Sequence, residues 1–562
     1  MGPGCAEVKH YLFSGRGPRC LPPRTPPKSN NTKFVGQLPL VLKSDARRSR
    51  GRTLFLGGGE GLPVALRRIP PAGSEDGLGA SKRVLVRTYG CQMNVHDSEK
   101  VANLLRHEGY VATERLDEAD LLIINTCSIR DKAEHRLYSD LGQLRAWKQA
   151  GSGRILAVGG CVAQQVGDAL LRRFDQVDFV FGTHKLQLVP ALVEAAARGR
   201  RTARLEESTS LERFDLPERH PDLVDATPGR AFVTVMEGCD LFCSFCIVPK
   251  TRGREISRPV AAVVAEVERL ARQGVREITL LGQTVNAYGR HDLRREAALA
   301  ARRAPAPARA TLGFAALLGR LAAVPGIARI RYTSPHPLFI DAELVRAHGE
   351  IEALCPHVHL PLQSGSDAVL ARMRRRYTRD DFRRIAEALR AARPDIAIST
   401  DLIVGFPGES DADFQDTLDL VREVGFVDSY SFKYSPRPGT PAADFPDTVA
   451  PEVAQARLEE LQALQRELGL AAHRARLGER TEVLVTGPSR RGGRQLAGRD
   501  PYHRIVNFEA YENARVEAGS LQPVTIVEAT PHSLIGAHIM RRSVKPAAVQ
   551  ADELVRVGGF PS

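Results

Sequence analysis

Cys239, Cys243 and Cys246 form a C-x3-C-x2-C run directly after the apolar stretch from 231 to 236. Three thiolates this close can each take one iron of a four-iron, four-sulfur cluster, leaving the fourth iron without a protein ligand and open to an exogenous molecule. Gly238, just before the run, supplies the sharp turn that lets the three sulfurs converge. A closed zinc site is the weaker alternative, because it wants a fourth Cys or His and the loop contains none.

Three more cysteines lie far apart upstream: Cys91 in Thr88-Tyr-Gly-Cys-Gln-Met-Asn94, Cys127 in Asn125-Thr-Cys-Ser-Ile-Arg130 and Cys161 in Val158-Gly-Gly-Cys-Val-Ala-Gln164. Each follows a short apolar strand pattern and precedes a helical stretch, so the region reads as repeated strand-loop-helix units. In an open parallel sheet the loops at the carboxyl ends of the strands share one rim, where ligands bind. Cysteines distant in sequence would meet there and could hold a second cluster; the alternative is that they pack as small hydrophobes. Cys5, Cys20 and Cys355 belong to neither set. Nine cysteines in 562 residues, grouped in this way, suit iron in a reducing compartment better than a disulfide framework.

The elements that must position these groups follow in order. An open parallel sheet domain is expected over 81–200, and a linker over 201–228. Over 229–470 six strand patterns (231–236, 277–282, 328–334, 357–362, 397–404 and 428–434) alternate with helical stretches such as 260–273 and 379–392. That alternation predicts a partial (β/α)6 barrel, curled but not closed, with its reactive loops at the carboxyl ends of the strands. Over 471–545 short strands bounded by Gly and Pro predict a small β-barrel. This last segment carries 12 Lys or Arg against seven acids. Arg490, Arg491, Arg494 and Arg499 could engage phosphates there, the alternative being a solvated basic face. The segment 290–311, rich in Arg and Ala, reads as an inserted loop without chemistry.

The chain carries a formal charge of +13, but residues 1–59 hold 11 Lys or Arg and only Glu7 and Asp45, so that stretch supplies +9 of the total. Global basicity is therefore no argument for nucleic acid. The leader, 1–80, is expected to be disordered and is compatible with a mitochondrial transit peptide, an untargeted tail being the competing reading. The tail, 546–562, is short and polar. No apolar run reaches the roughly 18 residues of a membrane helix.

The run from Glu237 to Cys246, continued by Ile-Val-Pro-Lys-Thr-Arg-Gly-Arg-Glu-Ile-Ser-Arg-Pro259, resembles the radical S-adenosylmethionine (SAM) superfamily and, more narrowly, its methylthiotransferases. Further strand-end sequences match that family's pattern: Leu281-Gly-Gln-Thr-Val-Asn-Ala-Tyr288, Thr333-Ser-Pro-His-Pro337, His359-Leu-Pro-Leu-Gln-Ser-Gly-Ser366, Met373-Arg-Arg-Arg-Tyr-Thr-Arg379 and Thr400-Asp-Leu-Ile-Val-Gly-Phe-Pro-Gly-Glu409. The resemblance covers roughly 81–543. It implies two four-iron clusters, one on Cys239, Cys243 and Cys246 that cleaves SAM to a radical, and one on Cys91, Cys127 and Cys161 that handles sulfur. Gln283, Asn286, Ser334, Gln363 and Asp401 are candidates for the oriented hydrogen bonds that SAM needs. Family members usually carry Asn where this chain has Thr284, which weakens any contact assigned there.

Within the family the chain is most similar to the MiaB-type enzymes and, among these, to the eukaryotic mitochondrial branch. That likeness implies methylthiolation of C2 of N6-isopentenyladenosine at tRNA position 37, two SAM molecules serving as methyl donor and radical source. The carboxyl-terminal segment resembles a TRAM domain, an RNA-binding barrel that would hold the anticodon arm. Sister enzymes imply two alternatives, a threonylcarbamoyl-adenosine in tRNA or a ribosomal-protein aspartate as acceptor. A third reading, also from the resemblance, is a binding protein for a kinase regulatory subunit.

Overall fold

Every residue from Leu121 to Thr126 is buried, and the two faces of this strand belong to different cores. Leu121 and Ile123 pack with Val101, Leu105 and Leu192 on one side, Leu122 and Ile124 with Leu137, Leu141 and Trp147 on the other. A strand apolar on both faces is the mark of a parallel sheet covered by helices twice. The computed structural model describes residues 82–539 apart from 129–130, 209, 221–222, 224–227, 293–311 and 512–514. The leader, nearly all of the 290–311 segment and the tail lie outside the described residues, as do Cys5 and Cys20.

The amino-terminal sheet has six parallel strands in the order Val111–Ala112, Arg83–Tyr89, Leu121–Thr126, Ile155–Gly159, Phe179–Phe181 and Thr202–Arg204. Tyr89 pairs with Thr126, and Asn125 with Gly159. The second, third and fourth strands therefore end level, and each hands the chain to a cysteine within one or two residues.

In the central region Arg230–Thr234, Glu277–Leu281 and Arg329–Tyr332 form one parallel triplet, and His357–His359, Ala397–Val404 and Asp428–Lys433 another. A parallel bridge from Ile330 to Leu354 joins them. The outer strands, Arg230–Thr234 and Asp428–Lys433, do not pair with each other among the described residues. This is the expected partial (β/α)6 barrel. One strand is shorter than its apolar pattern. The chain leaves the sheet after Thr234, and Met236–Glu237 pairs antiparallel with Ile256–Ser257, closing the C-x3-C-x2-C segment at its neck.

The carboxyl-terminal strands, Arg480–Pro488, Gln495–Arg499, Ile505–Glu509, Leu521–Ala529 and Leu534–His538, close into a five-stranded barrel around Val483, Val506, Phe508, Val524 and Ile526. It seats on the central domain through buried guanidiniums: Arg329 Nη2 donates to Glu482 O at 2.7 Å and Arg331 Nη2 to Asp500 O at 2.7 Å. Among the described residues no helix is long and apolar enough to cross a membrane.

Candidate metal centres

The amino-terminal site is built by tertiary contact. Cys91 is the N-cap of helix Gln92–His107, and Cys161 opens helix Cys161–Val166. Cys127 follows its strand directly, and its N–H donates to Tyr89 O at 2.8 Å. Gly90, with φ of 146°, makes the convergence possible, because a Cβ there would stand 2.2 Å from Cys127 Cβ. The Cys91 thiol is drawn down to about 6, first by its hydrogen bond with Cys127. Cys161 is pushed up by burial. Asn94 and Asn125 brace the rim, Asn94 Nδ2 donating to Asn125 Oδ1 at 3.0 Å and Asn125 Nδ2 to Asn94 O at 2.9 Å.

The second site is local and stapled. Gly238 has φ of 82° and its Cβ position lies 2.0 Å from Arg254 O, so only glycine fits the neck of the loop. Cys239 N donates to Gly253 O at 3.2 Å, and Cys246 N to Cys243 O at 3.1 Å. From outside the loop, Ser244 N donates to Met373 O at 3.0 Å and Arg375 Nη1 reaches Cys243 Sγ at 3.5 Å. Arg375 is itself fixed by Tyr377 Oη, which accepts from its Nε at 3.1 Å, and by Pro361 O. Thr284 Oγ1 lies 3.1 Å from Cys239 Sγ, so the residue read as a departure from the resembled pattern touches a cysteine sulfur directly. Burial raises the Cys239 thiol, and it raises Cys246 to about 12 together with the neighbouring Cys243 charge. As ligands to iron these three sulfurs would be held as thiolates, against the protonation that burial favours.

The five proposed SAM contacts occupy the rim unequally. Gln283 Oε1 accepts from Gly238 N at the neck of the cysteine loop. Ser334 and Gln363 sit at strand ends with φ of 57° and 74°, a strained geometry for non-glycine residues of the kind that gathers at functional sites. Asp401 lies within its strand and pairs with His359 Nε2 at 3.2 Å. Asn286 differs from expectation. Its Nδ2 donates to His336 O at 2.9 Å and its Oδ1 accepts from His336 N at 2.8 Å, so the amide braces the backbone of the next strand-end loop.

Arg499 also needs correction. Expected to face phosphate, it donates from Nη1 to His503 O at 2.6 Å at the seam with the central domain, and burial draws it down to about 10 despite Asp500. The strand pattern did not show which end of the barrel docks. Arg490, Arg491 and Arg494 are exposed in the loop between the first two barrel strands.

The two cysteine sets are joined by charge that the sequence reading did not single out. Helix Val248–Arg252 follows Cys246 directly and packs on the helix opened by Cys161. It delivers Arg252 to the amino-terminal site, where Nη2 donates to Asp97 Oδ2 at 2.6 Å with the two side chains 3% and 1% exposed. Removing one partner of such a pair costs about 3–5 kcal/mol. Nearby, Lys100 Nζ stands 3.8 Å and Arg213 Nε 3.5 Å from Glu237, whose carboxyl these cations and Arg252 hold below its usual range against burial. Arg252 and Arg375 both lay within motifs already noted, but their burial was invisible there.

Among the described residues no three His, Cys, Asp or Glu side chains converge as they would on a single metal ion. A cluster that presents a different iron to each sulfur needs its ligands farther apart, and three cysteines per site leave one iron open. The residues present fit two four-iron clusters. Beside the amino-terminal domain a cleft of about 400 Å³ opens between Tyr138 and Arg173 on one side and Pro436, Arg437 and Pro438 on the other. Lys250 Nζ, one turn beyond Cys246, donates to Gly439 O and ties that loop to helix Val248–Arg252.

Both sets of cysteines fall within regions that match known families. Residues 83–182 match an uncharacterized protein family, UPF0004, and residues 233–421 match the radical SAM superfamily. The chain is 47% identical over 456 residues, 81% of its length and 97% of the relative's, to the tRNA-2-methylthio-N(6)-dimethylallyladenosine synthase of Geobacter sulfurreducens. It is 48% identical over 455 residues, 81% of its length and 98% of the relative's, to the enzyme of the same name from Geobacter metallireducens. Among solved structures it is similar to the radical SAM methyltransferase TsrM of Kitasatospora setae, with a TM-score of 0.45 and 16% identity over 65% of this chain and 74% of that one. With two cysteine sites of this design and near full-length identity of this order, the chain belongs to the MiaB-type family of radical SAM tRNA methylthiotransferases.

Proposed function

We infer that this enzyme converts N6-isopentenyladenosine in tRNA to its 2-methylthio derivative. The observation that carries the reading is the placement of Arg252. The segment bearing the radical-SAM cysteines continues straight into the amino-terminal cysteine site, so the two sites are neighbours. C2 of adenine carries an unactivated aromatic hydrogen that no side-chain base can remove usefully, so the reaction needs cofactor chemistry. When bound, the clusters and SAM supply the one-electron chemistry, the methyl group and the sulfur. The protein's own part is to hold them. Cys239, Cys243 and Cys246 would keep one cluster beneath the strand-end rim of Gln283, Ser334 and Gln363, where SAM would lie, and Cys91, Cys127 and Cys161 would keep the other.

A base in a folded anticodon loop must be splayed from its stack to reach such a site. The cleft lined by Arg173, Arg437 and Glu134 presents two guanidiniums for phosphate, Arg173 lying over the Tyr138 ring. Arg490, Arg491 and Arg494 on the carboxyl-terminal barrel, read as a TRAM domain, would grip the anticodon arm. The basic leader supports a mitochondrial address.

The test is anaerobic incubation of reconstituted enzyme, SAM and a reductant with isopentenyl-modified, threonylcarbamoyl-modified and unmodified tRNA, followed by nucleoside mass spectrometry. Methylthio product is expected on the isopentenyl substrate alone. Product on the threonylcarbamoyl substrate would reassign the enzyme to its sister activity.

A further inference from the structure

Arg252 holds more hydrogen-bonding capacity than its neighbours use. Its Nη2 is committed to Asp97 Oδ2, yet its Nη1 and Asp97 Oδ1 are both buried without a hydrogen-bond partner among the described residues. A buried donor left without an acceptor is costly and rare. The backbone gives it no freedom to turn away: His184 Nε2 contacts Arg252 O at 2.8 Å, and Thr183 Oγ1 donates to Thr251 O at 2.6 Å. The guanidinium stands against Cys161 and Cys91; its charge favours the thiolate at both, and at Cys161 a hydrogen bond from the guanidinium adds to it. The acceptor that would complete Nη1 is thus a sulfur, either the Cys161 thiolate or a sulfide of the cluster held there.

We propose that Arg252 is a positioning residue for the amino-terminal cluster, donating from Nη1 to one of its sulfurs and fixing a positive charge beside Cys161, with Asp97 as its buried counter-charge. This rests on the functional reading above and deepens it. The residue belongs to the radical-SAM segment but acts on the other cluster, so the docking of one domain on the other sets the electronics of the sulfur-handling site. Hydrogen bonds to cluster sulfurs and nearby positive charge stabilise the reduced, more negative state and raise the reduction potential.

The test uses the full chain with Cys239, Cys243 and Cys246 replaced by Ala, so that only the amino-terminal cluster titrates in a potentiometric experiment followed by electron paramagnetic resonance. Arg252→Gln should shift the midpoint to more negative potential, and Asp97→Asn should shift it to more positive potential. Arg252→Lys, which keeps the charge without the fork, should fall between Arg252→Gln and the parent. Opposite signs for Arg252→Gln and Asp97→Asn are what a structural role, loosening the site in either variant, would not produce. An unchanged midpoint in Arg252→Gln, or shifts of the same sign in the two variants, would overturn the proposal. Failure of the parent to bind iron and sulfide at all would instead overturn the two-cluster reading beneath it.

Discussion

The two cysteine sites reach the same ligand count by opposite routes. Cys239, Cys243 and Cys246 are placed by one short loop, closed at its neck by the pairing of Met236–Glu237 with Ile256–Ser257. Cys91, Cys127 and Cys161 are placed by the parallel register of three strands whose ends are level. The local site can be read from spacing and disturbed by local substitutions. The dispersed site exists only when the sheet has folded, and it borrows Arg252 from the neighbouring domain.

Paired glycine substitutions would break this comparison most sharply. Gly90→Ala drives a Cβ into Cys127 and Gly238→Ala drives one into Arg254 O, both at positive φ. Each should cost the iron of its own site and spare the other, as measured by iron and labile sulfide after anaerobic reconstitution. Loss of both clusters in either variant would mean that the sites are not independent. Arg375→Gln removes the donor to Cys243 Sγ. By analogy with other residues behind metal ligands it should reduce SAM cleavage about 10- to 100-fold while leaving the amino-terminal cluster intact, read as 5'-deoxyadenosine formed per chain.

Replacing Arg490, Arg491 and Arg494 together by Ala should leave both clusters and SAM cleavage unchanged and weaken tRNA binding. The dependence of log Kd on log salt should flatten by about 0.7–0.9 for each phosphate that is no longer neutralised. The smallest effect concerns pH. Burial, with the Arg393 charge, lowers His348 from 6.5 to about 4, so the unfolded chain takes up a proton that the folded chain refuses. The stability from this residue is complete above 6.5 and is lost as the pH falls toward about 4, the loss amounting to about 2 kcal/mol at pH 5. In His348→Gln the stability gap between pH 7 and pH 5 should narrow by roughly that amount in anaerobic denaturant titrations.

Much of this arrangement was legible in the chain itself, for particular reasons. Residues 121–124 and 155–158 are apolar throughout because both faces are covered, and a cysteine shortly after such a strand can only sit on the rim. Gly238 before the C-x3-C-x2-C run announced the turn that its φ requires. What the pattern concealed depended on domain packing. Arg499 looked like its exposed neighbours Arg490 and Arg494 but ends at a seam, because the barrel docks by that strand end onto Arg329. Asn286 looked like a free amide, but both its polar atoms hold the backbone of the next loop. Arg252 and Arg375 lie in motifs rich in arginine, where residue type alone does not separate a buried guanidinium from an exposed one, and only the fold shows that each is buried against a cysteine site.

The most direct test of separate duties at two neighbouring sites is a side-by-side assay of Cys243→Ala and Cys127→Ala with isopentenyl-modified tRNA, scoring 5'-deoxyadenosine and methylthio nucleoside in the same reaction. The structure predicts neither product from Cys243→Ala, and 5'-deoxyadenosine without methylthio nucleoside from Cys127→Ala. Methylthio nucleoside from either purified, reconstituted variant would contradict the assignment of that site.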